Sequence, residues 1–339
     1  MKKIIPSFIT VLFLLFIFSA EFSVSSLDMQ AVGLVVEPEP VVDVAVPIQA
    51  DYANGKITIG GKGGSAEALV KPHKFEFKDI GKGNLILVNQ SYPVEKHFFH
   101  PAMSDLEGRV PCSKSSLILA EEAANQLAKM FEDAKSEGVN DLTVVSAYRS
   151  YSYQTALFNN KVNTYIKKGK TKSEAKKLAG KVVAAPGTSE HQTGLAVDIF
   201  SKELLQRTGG LEEVFDQSDE GKWLIKNSHK YGFILRYPQD KQDLTRIIYE
   251  PWHYRYVGKP HAEIMVEKNM CLEEYIEYLK ENQRIEYTSS NGETFLIYYL
   301  DNASDLNDIE VYAYVGQAVN ASSDNTGGLI LTVRMDKII

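Results

Sequence analysis

The chain has 339 residues, of which 44% are hydrophobic and 24% are charged, and its formal net charge is -7 at pH 7. This length is enough for one sizeable domain and a smaller one. Because the charge balance is acidic and no strongly basic run stands out, the sequence argues against a nucleic-acid partner. The only two cysteines, Cys112 and Cys271, are too few for a disulfide framework, and the sequence leaves open whether they pair.

The N-terminal segment has the layout of a secretory signal. Lys2 and Lys3 precede an apolar block, and small polar residues follow through Ser26. We therefore predict a signal peptide or an uncleaved signal anchor over residues 1–26, and an exported protein that meets a membrane only through such an anchor. Residues 27–80 are rich in proline, valine and glycine, and we predict that they form a linker and a segment without an assigned role.

Residues 81–283 mix helix and strand patterns. The predicted strands lie at 85–88, 142–146, 195–200, 233–237 and 247–249. The predicted helices lie at 117–136, 153–166, 172–178, 221–231, 260–268 and 272–281. Since these elements do not alternate as regular βαβ units, the pattern favours an α+β domain with mixed helices around a small antiparallel sheet.

The remaining residues, 284–339, have a different character. Strand patterns occur at 293–300, 309–314 and 329–333. The dipeptide Asn291-Gly292 is typical of a tight hairpin turn. These features predict a small C-terminal β extension, in which we find no catalytic grouping.

The stretch from Ser189 to Phe200 places an aspartate, Asp198, inside an apolar run. A buried carboxylate is costly unless a cation lies beside it, so Asp198 predicts either a salt bridge or a metal ion nearby. Gly194 followed by the apolar run favours a turn and then a strand. His191 would then lie in the turn and Asp198 in the strand, from where both side chains can converge on one point.

A second motif, from Tyr249 to Val257, offers the remaining groups. His253 supplies an imidazole, and Glu250 supplies a carboxylate just upstream of it. Two histidines and one carboxylate, with an open position for water, make a recognised catalytic zinc site, and a further glutamate that is not a ligand would be the general base. His97 and His100 also have a close spacing, but no acid accompanies them, and we interpret them as structural.

Taken together, these motifs resemble the VanY-type D-alanyl-D-alanine carboxypeptidases of the M15 zinc peptidase family. The resemblance covers about residues 84–282 and extends weakly into the tail. It is carried by Ser189-x-His191-x-x-Gly194-x-Ala196-x-Asp198, by Glu250-Pro-Trp-His253, by Ser146-Ala-Tyr-Arg149-Ser and by Gln154. The occurrence of all these motifs in this order is specific, whereas any one of them alone would be weak.

The resemblance implies a role for each of these residues. His191, Asp198 and His253 would bind one zinc ion per chain. Glu250 would take the proton of the attacking water and pass it to the leaving amine, while Arg149 would face the substrate carbonyl oxygen. The residues implied to contact the substrate or shape its site are Gln154, Ser189 and Trp252. For Ser189 a turn role, and for Trp252 a role in core packing, are open alternatives.

The activity that the resemblance implies is removal of the C-terminal D-alanine from peptidoglycan stem peptides. The protein would then be extracellular, either secreted or anchored at the cell envelope. Relatives with the same motifs include L,D-carboxypeptidases that act on tetrapeptide stems, and the motifs do not separate the two activities. A non-catalytic wall-binding module is a further alternative, although such a protein would be expected to have lost Glu250 or one of the three ligands.

Overall fold

The computed structural model describes residues 48–51, 56–59, 70–76, 81–302, 308–314 and 317–335. The predicted signal segment over residues 1–26 lies outside the described residues. Across the described ranges, no helix combines the length and the apolar character needed to cross a bilayer. The described residues form helices and mostly antiparallel sheets, which confirms the predicted α+β mixture.

The strands are numbered here in chain order. They are β1 (Ile48–Asp51), β2 (Lys56–Ile59), β3 (Val70–Glu76), β4 (Met103–Asp105), β5 (Ile118–Ala120), β6 (Leu142–Ser146), β7 (Ala196–Ser201), β8 (Phe233–Leu235), β9 (His253–Tyr256), β10 (Arg284–Thr288), β11 (Thr294–Leu300), β12 (Asp308–Tyr314), β13 (Ala318–Ser323) and β14 (Leu329–Met335).

The α-helices are numbered in the same way. They are α1 (Glu121–Ser136), α2 (Tyr151–Lys167), α3 (Lys172–Ala179), α4 (Lys202–Thr208), α5 (Asp219–Asn227), α6 (Gln242–Thr245), α7 (Lys259–Glu267) and α8 (Leu272–Asn282). Helix α1 begins at Glu121 rather than at the predicted residue 117, because residues 118–120 pair with β4 as strand β5.

A central antiparallel sheet has the strand order β6-β7-β9-β8. Helix α1 packs Leu127 and Met130 into the same core as Val197 and Ile199 of β7. Alternate side chains of a strand point to opposite faces, so Asp198 points away from Val197 and Ile199. Every residue of β7 is buried, and the sheet therefore places a carboxylate inside the protein on its second face.

The described residues form two further four-stranded sheets, with the strand orders β10-β11-β14-β13 and β1-β2-β12-β3. Strand β11 is buried on both of its faces. Ile297 and Tyr299 pack with apolar residues of α7 and α8, whereas Leu296 and Tyr298 pack in a cluster that includes Val311 of β12. This alternation lets one strand join helices on one side to the second sheet on the other.

Residues 284–339 were predicted to form a C-terminal β extension by themselves, but one of their strands pairs with strands from before residue 81. Strands β1, β2 and β3 lie within the stretch predicted as a linker and an unassigned segment, and β12 of the tail pairs with both β2 and β3. The sequence prediction also missed β10 and β13, which complete the other sheet. Short strands of this kind are stabilised by their neighbours in the sheet, which a local pattern does not reveal.

Two predicted strands are wrong. Residues 247–249 form an irregular segment that follows α6. Residues 85–88 are buried but join none of the described sheets. Leu85 and Leu87 pack in the cluster of α7 and α8, while Ile86 and Val88 pack in the core of α1. The apolar run on which the prediction rested therefore fills two cores instead of a strand of a sheet. Cys112 and Cys271 are both free thiols, so the pairing left open by the sequence does not form.

Candidate active site

Three buried side chains, His191, Asp198 and His253, come together on the second face of the central sheet. Asp198 of β7 and His253 of β9 are direct cross-strand partners, and opposed residues in neighbouring strands have adjacent side chains. Asp198 Oδ1 lies 3.2 Å from His253 Nδ1 and 3.3 Å from His191 Nε2. One potential ligand atom from each residue lies within 4.8 Å of the others.

His191 reaches this cluster from a short 3-10 turn, Glu190–Thr193, just before β7. Gly194 ends the turn with a φ of 74°, and an added Cβ would lie 2.8 Å from Met103 Sδ, so both conformation and space favour glycine. The ring Nδ1 of His191 lies 2.6 Å from the carbonyl oxygen of Ala147. Because a carbonyl only accepts, Nδ1 carries the proton, and Nε2 presents its lone pair to the cluster.

The cluster fits a metal ion by its chemistry. His191 Nε2 and Asp198 Oδ1 are buried atoms for which the described residues provide no hydrogen-bond partner. Buried polar atoms are normally paired, so two orphans that face each other call for a missing partner. Two imidazole nitrogens and one carboxylate oxygen are a donor set that suits zinc and leaves a position for water. These three residues would hold the ion.

The two histidines have opposite electrostatic surroundings. Burial lowers the pKa of His191 to about 4, and the charge of Arg149 acts in the same direction. Burial also disfavours a charged His253, but the nearby carboxylates of Asp198 and Glu190, 3.2 and 3.6 Å from its ring nitrogens, outweigh it and raise the pKa of His253 to about 9. Without a metal, the surroundings of His191 therefore favour its neutral form, whereas those of His253 favour its protonated form. A histidine ligand has to be neutral, so metal binding competes with a proton at His253.

Glu250 lies beside the cluster, with its Oε2 3.7 Å from His253 Nδ1. Its backbone amide donates to the carbonyl of Tyr237, and its carbonyl accepts from the amide of His253, which fixes the turn between them. The Glu250 side chain is 12% exposed, and burial raises its pKa to about 7. A carboxyl group whose pKa is near neutrality is suited to accept and return a proton during a reaction.

Arg149 also reaches the cluster, where its Nη2 donates to Asp198 Oδ2 at 2.5 Å. The resemblance implied zinc as the partner of Asp198. In the structure, the two carboxylate oxygens of Asp198 have different neighbours. Oδ2 accepts from Arg149, and Oδ1 faces the two histidines. The salt bridge and the ligand cluster, which were alternatives from the sequence, therefore coexist at this carboxylate.

Gln154 lies behind Arg149 rather than in the cleft. Its side chain is fully buried, its Oε1 accepts from Arg149 Nη1 at 3.4 Å, and its Nε2 donates to the carbonyl of Ala184 at 2.8 Å. Ser146 Oγ accepts from Arg149 Nε at 2.9 Å. The structure therefore places Gln154 in contact with the guanidinium group, and its contact with the substrate stays a prediction.

A cleft of about 920 Å³ opens onto the cluster. Its lining includes Arg149, Glu250, Ser189, Trp252 and residues 182–184. Ser189 is almost completely buried and makes no capping hydrogen bond, and Trp252 is half-buried at the cleft wall and packs against the central core. The packing and lining roles that the sequence left open for Trp252 therefore occur together.

The sequence interpretation missed a group of charges beneath the cluster. Glu190 is fully buried, and its Oε1 accepts from Arg236 Nε at 2.8 Å and from Arg255 Nη1 at 2.7 Å. Two features of the sequence point to this group: Glu190 adjoins His191, and Arg255 follows His253 by two residues in a strand. Residues two apart in a strand share a face, so a charge at position 255 is directed toward the same interior.

Comparison with known proteins gives the family. The family profile described as VanY, D-alanyl-D-alanine carboxypeptidase, matches residues 116–259. The chain is 33% identical over 262 residues to a D-alanyl-D-alanine carboxypeptidase of Enterococcus faecium, covering 76% of this chain and 77% of that protein. The chain belongs to the VanY family of carboxypeptidases. All eight residues proposed for the site lie within the range that the VanY profile matches.

Solved structures of related enzymes agree with this VanY-type fold. The vancomycin-resistance D,D-dipeptidase VanXYg, in complex with a D-Ala-D-Ala phosphinate analogue, superposes with a TM-score of 0.65 at 27% identity, over 79% of this chain and 100% of that chain. The LdcB LD-carboxypeptidase superposes with a TM-score of 0.51 at 39% identity, over 58% of this chain and 87% of that chain. The VanY-type fold is therefore shared by enzymes of D,D and L,D specificity.

Proposed function

We propose that this chain is a zinc-dependent carboxypeptidase that removes the C-terminal D-alanine from peptidoglycan stem peptides. We further propose that it is exported and acts at or outside the cell envelope, with the stem peptide as its partner. The observation that carries the proposal is the buried cluster of His191, Asp198 and His253 at the base of an open cleft, with Glu250 beside it.

The proposed reaction is hydrolysis of the last peptide bond. The water oxygen bonds to the carbonyl carbon, the C–N bond breaks, and the amine of D-alanine leaves with a proton that came from the water. A zinc ion held by the three ligands would supply Lewis-acid chemistry, through which water becomes a nucleophile at neutral pH. Glu250 takes the water proton and delivers it to the leaving nitrogen, because its carboxylate is beside the cluster and its pKa is raised by burial.

Arg149 stabilises the negative charge that develops on the carbonyl oxygen. Its guanidinium group lines the cleft, and its side chain is 18% exposed, so a substrate can reach it. The contacts with Ser146, Gln154 and Asp198 hold the group in place before substrate binds. A charge held in advance in this way stabilises a transition state without the cost of reorganising it.

The alternative is an L,D-carboxypeptidase that acts on tetrapeptide stems. The structural likeness to the LdcB LD-carboxypeptidase, at 39% identity, favours it. The likeness to a D,D-dipeptidase bound to a D-Ala-D-Ala analogue covers more of this chain and favours the first proposal. The proposed catalytic residues are the same for both activities, so the substrate decides between them.

We expect the purified full chain with zinc to remove one alanine from a pentapeptide stem and to leave a tetrapeptide stem intact. The products are to be identified by mass spectrometry, with a chelator-treated sample as the control. Removal of alanine from the tetrapeptide would instead establish the L,D activity. If neither stem is trimmed in the presence of zinc, the proposed function is wrong.

We expect the substitution Arg149→Lys to lower kcat by about 10²–10³-fold, with a smaller change in KM, because a lysine cannot reproduce the contacts that hold the guanidinium group toward the carbonyl oxygen. Steady-state kinetics on the pentapeptide stem measure this effect. The matched control is Arg109→Lys, since Arg109 is exposed and donates to Asn125 away from the cleft. An unchanged kcat in the Arg149 variant would remove Arg149 from the proposed mechanism.

A further inference from the structure

A carboxylate lies behind the cluster, on the side of His253 that faces away from Asp198. Glu190 Oε2 is 3.6 Å from His253 Nε2. Both atoms are buried, and neither has a hydrogen-bond partner among the described residues. The opposite ring nitrogen, Nδ1, is the one that approaches Asp198 and Glu250. The imidazole is therefore placed between a carboxylate behind it and the ligand cluster in front.

Glu190 is fixed in this position by two buried arginines. Oε1 accepts hydrogen bonds from Arg236 and Arg255, which leaves Oε2 for the histidine. Both arginines are tied to strand β9, which carries His253. Arg255 lies two residues after His253 in β9, and the amide of Arg236, which directly follows β8, donates to the His253 carbonyl. The carboxylate is thus attached to the same backbone that holds the histidine.

The two arginines are themselves held by groups outside the cluster. Glu273 of α8 accepts two hydrogen bonds from Arg236, at 2.7 and 2.8 Å. The carbonyl oxygens of Asn84 and Ile86 accept from Arg255 Nη2 at 2.9 and 2.8 Å. A buried charge network of this kind costs free energy to assemble, and replacement by apolar residues is often neutral or stabilising. Stability alone therefore does not account for placing it behind a ligand histidine.

We propose that Glu190 is a positioning residue for His253: its Oε2 accepts the Nε2–H proton and so directs the Nδ1 lone pair to the metal. This inference rests on the proposed zinc site. The two histidine ligands would then use opposite nitrogens, each selected by its own acceptor, since His191 is held by the Ala147 carbonyl at Nδ1. A carboxylate acceptor also makes the ligand nitrogen more basic than a carbonyl acceptor does.

The decisive variant is Glu190→Gln. The amide oxygen can still accept from the two arginines, but the amide nitrogen then faces His253 Nε2 as a donor. That favours the tautomer of His253 with its proton at Nδ1, and the nitrogen that faces the cluster then has no lone pair for the metal. We expect zinc affinity, measured by competition with a chromophoric chelator, to fall about 10–100-fold. The visible spectrum of the cobalt-substituted protein is expected to shift, which a loss of stability alone does not cause.

The matched control is Glu263→Gln. Glu263 is also a buried glutamate, 2% exposed, and its carboxylate accepts from Ser290 and Tyr287 rather than from a group of the cluster. We expect this variant to lose stability but to keep the zinc affinity and cobalt spectrum of the parent. If the parent binds no zinc, the proposed function fails; if the parent binds zinc and Glu190→Gln binds it equally, only the present inference fails.

A second measurement needs no variant. Histidine ¹⁵N NMR of the zinc-loaded full chain reports which ring nitrogen carries a proton. We expect His253 to carry it at Nε2, in slow exchange with water, and His191 to carry it at Nδ1. A His253 proton at Nδ1, or one at Nε2 that exchanges as fast as that of a free imidazole, would overturn the inference even if Glu190→Gln did not fold.

Discussion

The substitution Glu250→Gln is expected to lower kcat on the pentapeptide stem by about 10²–10⁴-fold while zinc binding is retained. The amide has the shape of the carboxylate but cannot accept a proton from water or return it to the leaving amine. Zinc binding is expected to survive because Glu250 is not one of the three clustered ligands. Kinetics and a zinc titration on the same preparation measure both effects.

The stability of this variant provides an internal check. Burial raises the pKa of Glu250 to about 7, which means that folding disfavours its ionised form. The cost is absent at low pH, grows as the pH rises above the ordinary pKa of the carboxyl group, and is fully present above about 7. A neutral glutamine avoids it, so the metal-free variant is expected to unfold at the same or a higher temperature at pH 8.

A matched control for Glu250 is Glu132→Gln, on the exposed side of α1. It removes the same charge without touching the cleft, and we expect parental activity. If Glu250→Gln were as active as the parent, the proton transfer would have to be assigned to another group. If it lost zinc as well as activity, Glu250 would act as a ligand rather than as the base.

Removal of the metal is expected to abolish activity, and added zinc is expected to restore it. The three clustered residues would supply the protein ligands, and among the described residues the buried atoms His191 Nε2 and Asp198 Oδ1 have no hydrogen-bond partner. Binding to the folded state alone also stabilises it, by about 2.7 kcal/mol at a free zinc concentration 100 times Kd. A chelator titration of activity and a thermal melt with and without zinc measure the two consequences.

Substitution of a proposed ligand residue tests the metal centre in a second way, without a chelator. We expect His191→Ala to lose zinc and activity together, whereas His97→Ala keeps both, because His97 is exposed and lies outside the cluster. Full activity of the chelated parent, or zinc binding by His191→Ala with parental affinity, would contradict the proposed metal centre.

Elements with a strong local pattern formed where the sequence predicted them, and elements that depend on distant partners did not. Strand β6 and helices α2 and α3 were predicted closely, because each has a strong local pattern and a clear end. Residues 85–88 form a short apolar run of the kind that a buried strand has, yet they pack in two separate cores. The pairing of β12 with β2 and β3 joins segments more than two hundred residues apart, and no local pattern contains that information.

At the site, the sequence likewise predicted the residue types but not all of the contacts between their side chains. His191, Asp198, His253 and Glu250 were proposed from residue type and order, since a histidine before an apolar-flanked aspartate and a downstream Glu-Pro-Trp-His form an unusual combination. The structure brings these four side chains together. The contacts of Arg149 were predicted less well: it pairs with Asp198 and is backed by Gln154. Which atom of an aspartate faces which neighbour depends on side-chain packing, and sequence order does not specify packing.

By itself, the sequence determined the family, the α+β class and the residue types of the candidate metal centre, because these depend on chemical identity and local periodicity. Only the tertiary structure decided which charges lie beneath that centre. Glu190 and Arg255 are separated by 65 positions, and they meet because β7 and β9 are neighbours in the sheet. A buried carboxylate has to find its cations across such distances, and the fold determines where they are.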